Sequence, residues 1–184
     1  MRSIRYLILL VLGTGLYLGG CTGVAQVPSG ANFGAGFGGE AVNAVRLHNT
    51  LMCGADLTQS DAVWIETPAA LAQRYRNMQS MATTEPPVVD FKQYGVLLIS
   101  MGVQPTAGYR LNFLPSAHRV VLRGRTLQVG LAWEEPPADS IQAQVLTHPC
   151  LLLQVPRQSF NRVEVFDQSG TIRLARRMSF IPGF

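Results

Sequence analysis

Apolar residues recur in short runs separated by turn-forming residues, and the runs change period along the chain. Val96-Leu97-Leu98-Ile99-Ser100-Met101 is continuously apolar but for one serine, which predicts a strand buried on both faces. Tyr109 to Leu114 alternates and predicts a half-buried strand. A third strand is predicted at Ala41–Thr50, on Val42, Val45 and Leu47, and a fourth at Asp61–Glu66. Between them, Leu51–Ser60 reads as a loop. At Thr67-Pro68 the period changes. Threonine is a good N-cap, proline suits the first helical position, and Leu71, Tyr75 and Met78 follow at helical spacing. One helix is therefore predicted near residues 68–78, stopped by Pro86-Pro87. Val88-Val89-Asp90-Phe91 is expected to re-enter the core.

Downstream, Val120–Leu122 and Leu127–Trp133 predict a hairpin across Arg123-Gly124-Arg125, and Ala138–Thr147 reads as a loop. Cys150–Val155 is another apolar strand, with Gln154 its one polar residue, ending at Pro156. Val163–Phe166 and Thr171–Leu174 predict a last hairpin across Asp167-Gln168-Ser169-Gly170. Many short strands with one helix predict a β-rich α+β fold of antiparallel sheets, sandwich- or barrel-like, over residues 41–184.

The loop between the strands at 96–101 and 109–114, Gly102-Val103-Gln104-Pro105-Thr106-Ala107-Gly108-Tyr109, is rich in residues with local roles. Pro105 fixes φ and lacks an N–H, Thr106 can bond nearby backbone, and Gly108 admits a left-handed conformation. Tyr109 can anchor the foot of the loop in the core. Such a loop is either a rigid corner or a presented binding loop, with Gln104, Pro105, Thr106, Gly108 and Tyr109 as its candidate contacts.

The first 40 residues follow different rules. Arg2 and Arg5 precede the apolar run Tyr6–Leu18, which is shorter than a bilayer span and reads as an export signal over residues 1–20. The run ends in Leu18-Gly19-Gly20-Cys21, which resembles the bacterial lipobox. That resemblance implies that the leader is cut before Cys21 and that Cys21 carries lipid. Multiple acyl chains hold a protein in a membrane without a transmembrane helix. Thr22 stands where Asp marks inner-membrane retention, so the outer membrane is the expected site of attachment. Residues 21–40, rich in Gly, Ala and Ser, read as a flexible tether with a reach of roughly 25 Å.

Charge and composition narrow the function. Lys92 is the only lysine and the other basic residues are arginines. Apart from the leader the chain is near neutral, and Arg176-Arg177 is too short a run to predict nucleic-acid binding. With Cys21 acylated, Cys53 and Cys150 remain as an even pair outside the reducing cytoplasm, which reads as a disulfide, with two separate buried thiols the alternative. His148 stands two residues from Cys150, but a disulfide-bonded sulfur is no nucleophile and no orienting third group is evident. The three histidines lack zinc-ligand spacing, and no Gly-x-Ser-x-Gly or His-Glu-x-x-His occurs. Trp64 and Trp133 fall in strand patterns and read as core, and the apolar tail Phe180–Phe184 as packing back. No enzyme, cofactor or metal site is expected.

Pro87-Val88-Val89-Asp90-Phe91, the buried strand after it, Gly102-x-x-Pro105-Thr106-Ala107-Gly108-Tyr109, Leu146-Thr147-x-Pro149 and Val155-Pro156 together resemble the PrcB C-terminal domain. The resemblance spans roughly residues 62–166, with Ala107 where the family loop has a glycine. It implies a surface lipoprotein that accompanies or stabilises a secreted protease. Its partners would be the membrane, through Cys21, and an envelope protein such as a protease. The loop also resembles that of chagasin-type cysteine-protease inhibitors, with Gln104 in place of Asn. The companion motifs of that family are missing, which leaves an inhibitor acting through Gln104–Tyr109 as the alternative function.

Overall fold

The computed structural model describes residues 38–54, 56–78, 85–115 and 119–178. The leader, Cys21, the tether before Gly38 and the apolar tail lie outside these residues. The strands are β1 (Glu40–Ala41), β2 (Val45–Thr50), β3 (Asp61–Ile65), β4 (Tyr94–Ser100), β5 (Arg110–Asn112), β6 (Val120–Arg123), β7 (Thr126–Gly130), β8 (Ala132–Glu134), β9 (Cys150–Pro156), β10 (Arg162–Phe166) and β11 (Ile172–Arg177). The helix α1 spans Pro68–Asn77 between β3 and β4.

The strands form a five-stranded sheet in the order β1-β6-β7-β10-β11, a four-stranded sheet in the order β2-β9-β4-β3, and a small pair, β5-β8. The two larger sheets stay open at their edges, so the fold is a sandwich and not a closed barrel. Residues from both line the main core, among them Leu97, Ile99, Leu151, Leu153, Leu127, Val129, Val163 and Val165. The opposite face of the four-stranded sheet carries a second cluster in which Val96, Leu98, Cys150 and Leu152 meet Leu71, Tyr75 and Met78 from the helical segment. The runs of β4 and β9 are apolar but for Ser100 and Gln154 for this reason. Alternate residues serve two cores, and Val96, Leu97, Leu98, Ile99 and Leu151–Leu153 are wholly buried.

The helix starts as its sequence dictates. Thr67 is extended, its hydroxyl accepts from the Ala70 N–H at 3.2 Å, and Pro68 follows. Thr67→Ala is expected to lower stability by about 1 kcal/mol in a chemical-denaturation series, with Thr67→Ser restoring most of it.

Several boundaries differ from the sequence reading. The predicted strand at Ala41–Thr50 is two strands in different sheets. The chain crosses the sandwich between them, burying Val42 and Ala44. Leu127–Trp133 likewise divides. β7 pairs within the large sheet and β8 pairs with β5, while Leu131 between them is buried in the core. Tyr109–Leu114 shortens to β5. Val88 does not enter the core and is fully exposed, although Val89 and Phe91 pack against the helix-side cluster. One strand pair, β7 with β10, is parallel, because the chain passes through β8 and the other sheet before it returns to lie beside β7.

β2 carries a bulge between Arg46 and His48, and Leu47 packs on the helix-side cluster. The His48 ring sits 5.4 Å from that of Tyr75, and its Nε2 is shielded from solvent with no hydrogen-bond partner. Burial pushes the imidazole below its ordinary value of 6.5. The unfolded chain therefore takes up the proton first as pH falls. The stability that the neutral ring contributes should be present above its ordinary value of 6.5 and be lost as pH falls below it, seen as a falling urea midpoint. His48→Gln should flatten that slope.

Candidate functional site

The corner between β4 and β5 is built from its backbone. Past Ser100, the Met101 N–H donates to the Pro149 carbonyl at 3.0 Å, and Gly102 N–H donates to Ser100 Oγ at 3.0 Å. Gly102 has φ of 75°, and a Cβ there would lie 2.6 Å from the Gln59 carbonyl carbon. Val103 N–H reaches the Thr58 carbonyl at 3.1 Å. Gln104 exchanges two backbone hydrogen bonds with Thr147, at 2.8 and 3.0 Å, and its side-chain amide donates to the Met101 carbonyl at 2.7 Å. Thr147, itself buried, donates its hydroxyl to the Thr106 carbonyl at 3.2 Å, and Ala107 N–H donates to Ala143. Gly108, with φ of 101°, packs against Pro136 and Gln142. Tyr109 lies partly buried against the main core.

Of the candidate contacts, Pro105 is exposed, while Gln104, Thr106, Gly108 and Tyr109 are half-buried. Backbone pairing thus fixes the corner against residues 143–149, leaving the proline at its tip.

The same end of the molecule is closed from the other side. Cys53 and Cys150 are joined by a disulfide, with their Cα atoms 5.5 Å apart. Met52 bridges His148 in parallel register, with Cys53 N–H donating to the His148 carbonyl at 2.9 Å and His148 N–H to Leu51 at 2.7 Å. His148 Nδ1 lies 3.1 Å from the Gly54 carbonyl. The short segment around Thr147 therefore runs between residues 51–53 on one side and the corner on the other. Cys150 has its sulfur in the disulfide and His148 is held by backbone, so the two do not form a nucleophile and base.

The sequence reading missed what this segment displays. Residues 138–147 have no regular structure, as predicted, yet Ile141, Val145 and Leu146 project outward, with Leu51 and Met52 also exposed. The signal available was three aliphatic residues in a polar stretch that match neither a strand nor a helix period. Trp133 is buried, as predicted. Trp64 is only partly so, and stands edge-on to Phe160 with centroids 5.1 Å apart. Among the described residues no group of three His, Cys, Asp or Glu side chains is placed to hold a metal ion.

No curated protein and no solved structure matches the chain. A family model does, described as PrcB C-terminal, and it covers less than the sequence resemblance had suggested. Residues 96–156, from β4 through the Gly102–Tyr109 corner to the last residue of β9, match the PrcB C-terminal family, the one that the corner's sequence resembles.

Proposed function

We propose that this protein is a lipid-anchored envelope protein whose sandwich domain acts by binding another protein, as a non-enzymatic accessory to a secreted protease. The PrcB C-terminal match carries the reading. It covers both central strands and the corner, and so takes in the part of the fold that presents Pro105, Val145 and Leu146 to solvent. The lipobox-like Leu18-Gly19-Gly20-Cys21 supports the anchor, and the Cys53–Cys150 disulfide suits an oxidising compartment outside the cytoplasm. Lipid on Cys21 would hold the domain at the outer membrane, and the tether would let it move about its attachment point.

Affinity purification of the full chain from envelope extracts, after mild cross-linking, tests the reading. A secreted protease should co-purify with the native chain, and Leu146→Glu should reduce its recovery about tenfold. Recovery of no protease would overturn the accessory role. Inhibition of the recovered protease by the purified chain would favour the inhibitor alternative.

A further inference from the structure

The arginines that look dispersed in the sequence are gathered by strand register. Arg123 lies opposite Thr126 across β6 and β7, Thr126 opposite Arg162 across β7 and β10, and Arg162 opposite Arg177 across β10 and β11. Their inward neighbours Leu122, Leu127 and Val163 pack in the main core, so this row lies on the outward face of the five-stranded sheet. Four strand positions span about 15 Å. Arg125, at the tip of the β6–β7 turn, extends the row towards Arg157 and the partly exposed Trp64, around a groove of about 330 Å³. Arg123, Arg125 and Arg177 are exposed and make no ion pair among the described residues. The nearby carboxylates are few. Glu164 pairs with Arg162 at 2.8 Å, Glu66 with Arg157 at 3.4 Å, and Glu40 stands in register with the inward Leu122.

The same row receives the chain from the tether. β1 pairs with β6 through Glu40–Leu122 and Ala41–Val121, and a Cβ on Gly39 would lie 2.6 Å from the Leu122 carbonyl oxygen and 3.4 Å from the Arg123 nitrogen. The segment that links the domain to Cys21 therefore enters beside Arg123.

We infer that the Arg123–Arg162–Arg177 row, with Arg125, is a docking face for anionic lipid headgroups, which seats the domain on the membrane that holds its anchor. The inference rests on the anchored reading above for its biological setting. Guanidinium groups bind phosphate in bidentate fashion, and basic residues held near an anionic surface gain attraction that salt screens. A tether of the reach expected from the sequence would keep this face within range of the bilayer. The Gly102–Tyr109 corner lies at the other end of β4 from Arg157, about 20 Å along the strand. A domain seated on its arginine row thus leaves the corner free for a protein partner.

The test removes the anchor so that the two readings fail separately. The mature-length chain from residue 21, carrying Cys21→Ser, is sedimented with phosphatidylcholine vesicles and with vesicles that also contain phosphatidylglycerol. It should bind the anionic vesicles, be released by added salt, and stay in solution with the neutral ones. The combined Arg123→Glu, Arg162→Gln and Arg177→Glu variant should lose about tenfold or more in association, while Arg76→Glu on the helix leaves it unchanged. Equal behaviour on the two kinds of vesicle, or salt-insensitive binding, overturns the inference without recourse to any variant. So does undiminished binding by the triple variant. The mass of Cys21 in the native protein tests the anchor independently.

Discussion

Replacing both Cys53 and Cys150 by alanine should cost about 4 kcal/mol of stability, and a reductant should do the same to the native protein. The bond joins residues 97 apart, so in the chain-entropy account its loss returns the freedom of a loop of nearly a hundred residues to the unfolded state. The native side of the equilibrium suffers as well. Cys150 is the first residue of β9, opposite Ser100 on one side and Thr50 on the other, and both cysteines are wholly buried in the helix-side cluster. For a folded part of this size the expected fall in melting temperature is on the order of 10–15 °C. Calorimetry of the oxidised, reduced and double-alanine forms measures it. Coincident melting of the three would show that packing around the pair already fixes this end of the molecule. Reduction should also loosen the neighbouring backbone, because Cys53, His148 and Leu51 share hydrogen bonds beside the bond. Faster amide exchange at Cys53 and His148 than in β10 would be the local signature.

How far the fold could be read from the chain depended on whether the determining physics was local. The helix was legible because Thr67, Pro68, Leu71 and Tyr75 act within a few residues of one another. β4 and β9 were legible because burial on both faces leaves each run apolar but for one residue, Ser100 in β4 and Gln154 in β9. The break between β7 and β8 was not legible, because Leu127 to Trp133 keeps a strand-like pattern while the chain changes partners at Leu131. The parallel β7–β10 pair is a matter of topology, which no residue in either strand announces. The same holds for the arginine row. Arg123, Arg162 and Arg177 are far apart in sequence and become neighbours only through pairing register. At the corner, the motif residues were visible but their assignment was not. Gln104 and Thr106 look like contact residues until Thr147 is found opposite them, and Thr147 belongs to a segment some forty residues away.

Gly102 provides the sharper test of the corner as a built element. Gly102→Ala should destabilise the protein by about 3 kcal/mol or more, combining the cost of an L-residue in the left-handed region with that of a backbone clash. The positive φ of 75° alone would be tolerable at roughly 1–2 kcal/mol. The contact is what cannot be relieved cheaply. The added Cβ would fall 2.6 Å from the Gln59 carbonyl carbon, 2.8 Å from its Cα and 2.8 Å from the Thr58 oxygen. All three are backbone, and Thr58 is the acceptor for the Val103 N–H, so the 58–60 segment cannot retreat without losing that bond. Gly124 supplies the control. It has φ of 60° at the tip of the β6–β7 turn with nothing within 4 Å of an added Cβ, so Gly124→Ala should cost only about 1–2 kcal/mol. Urea denaturation of the two variants separates conformational strain, which both share, from close approach, which only Gly102 has. If the two lose stability equally, the corner can yield at Gln59 and is less rigid than its hydrogen bonds imply. If Gly102→Ala loses much more, the corner is a fixed mount, and any binding at Pro105 proceeds without rearrangement of the loop beneath it.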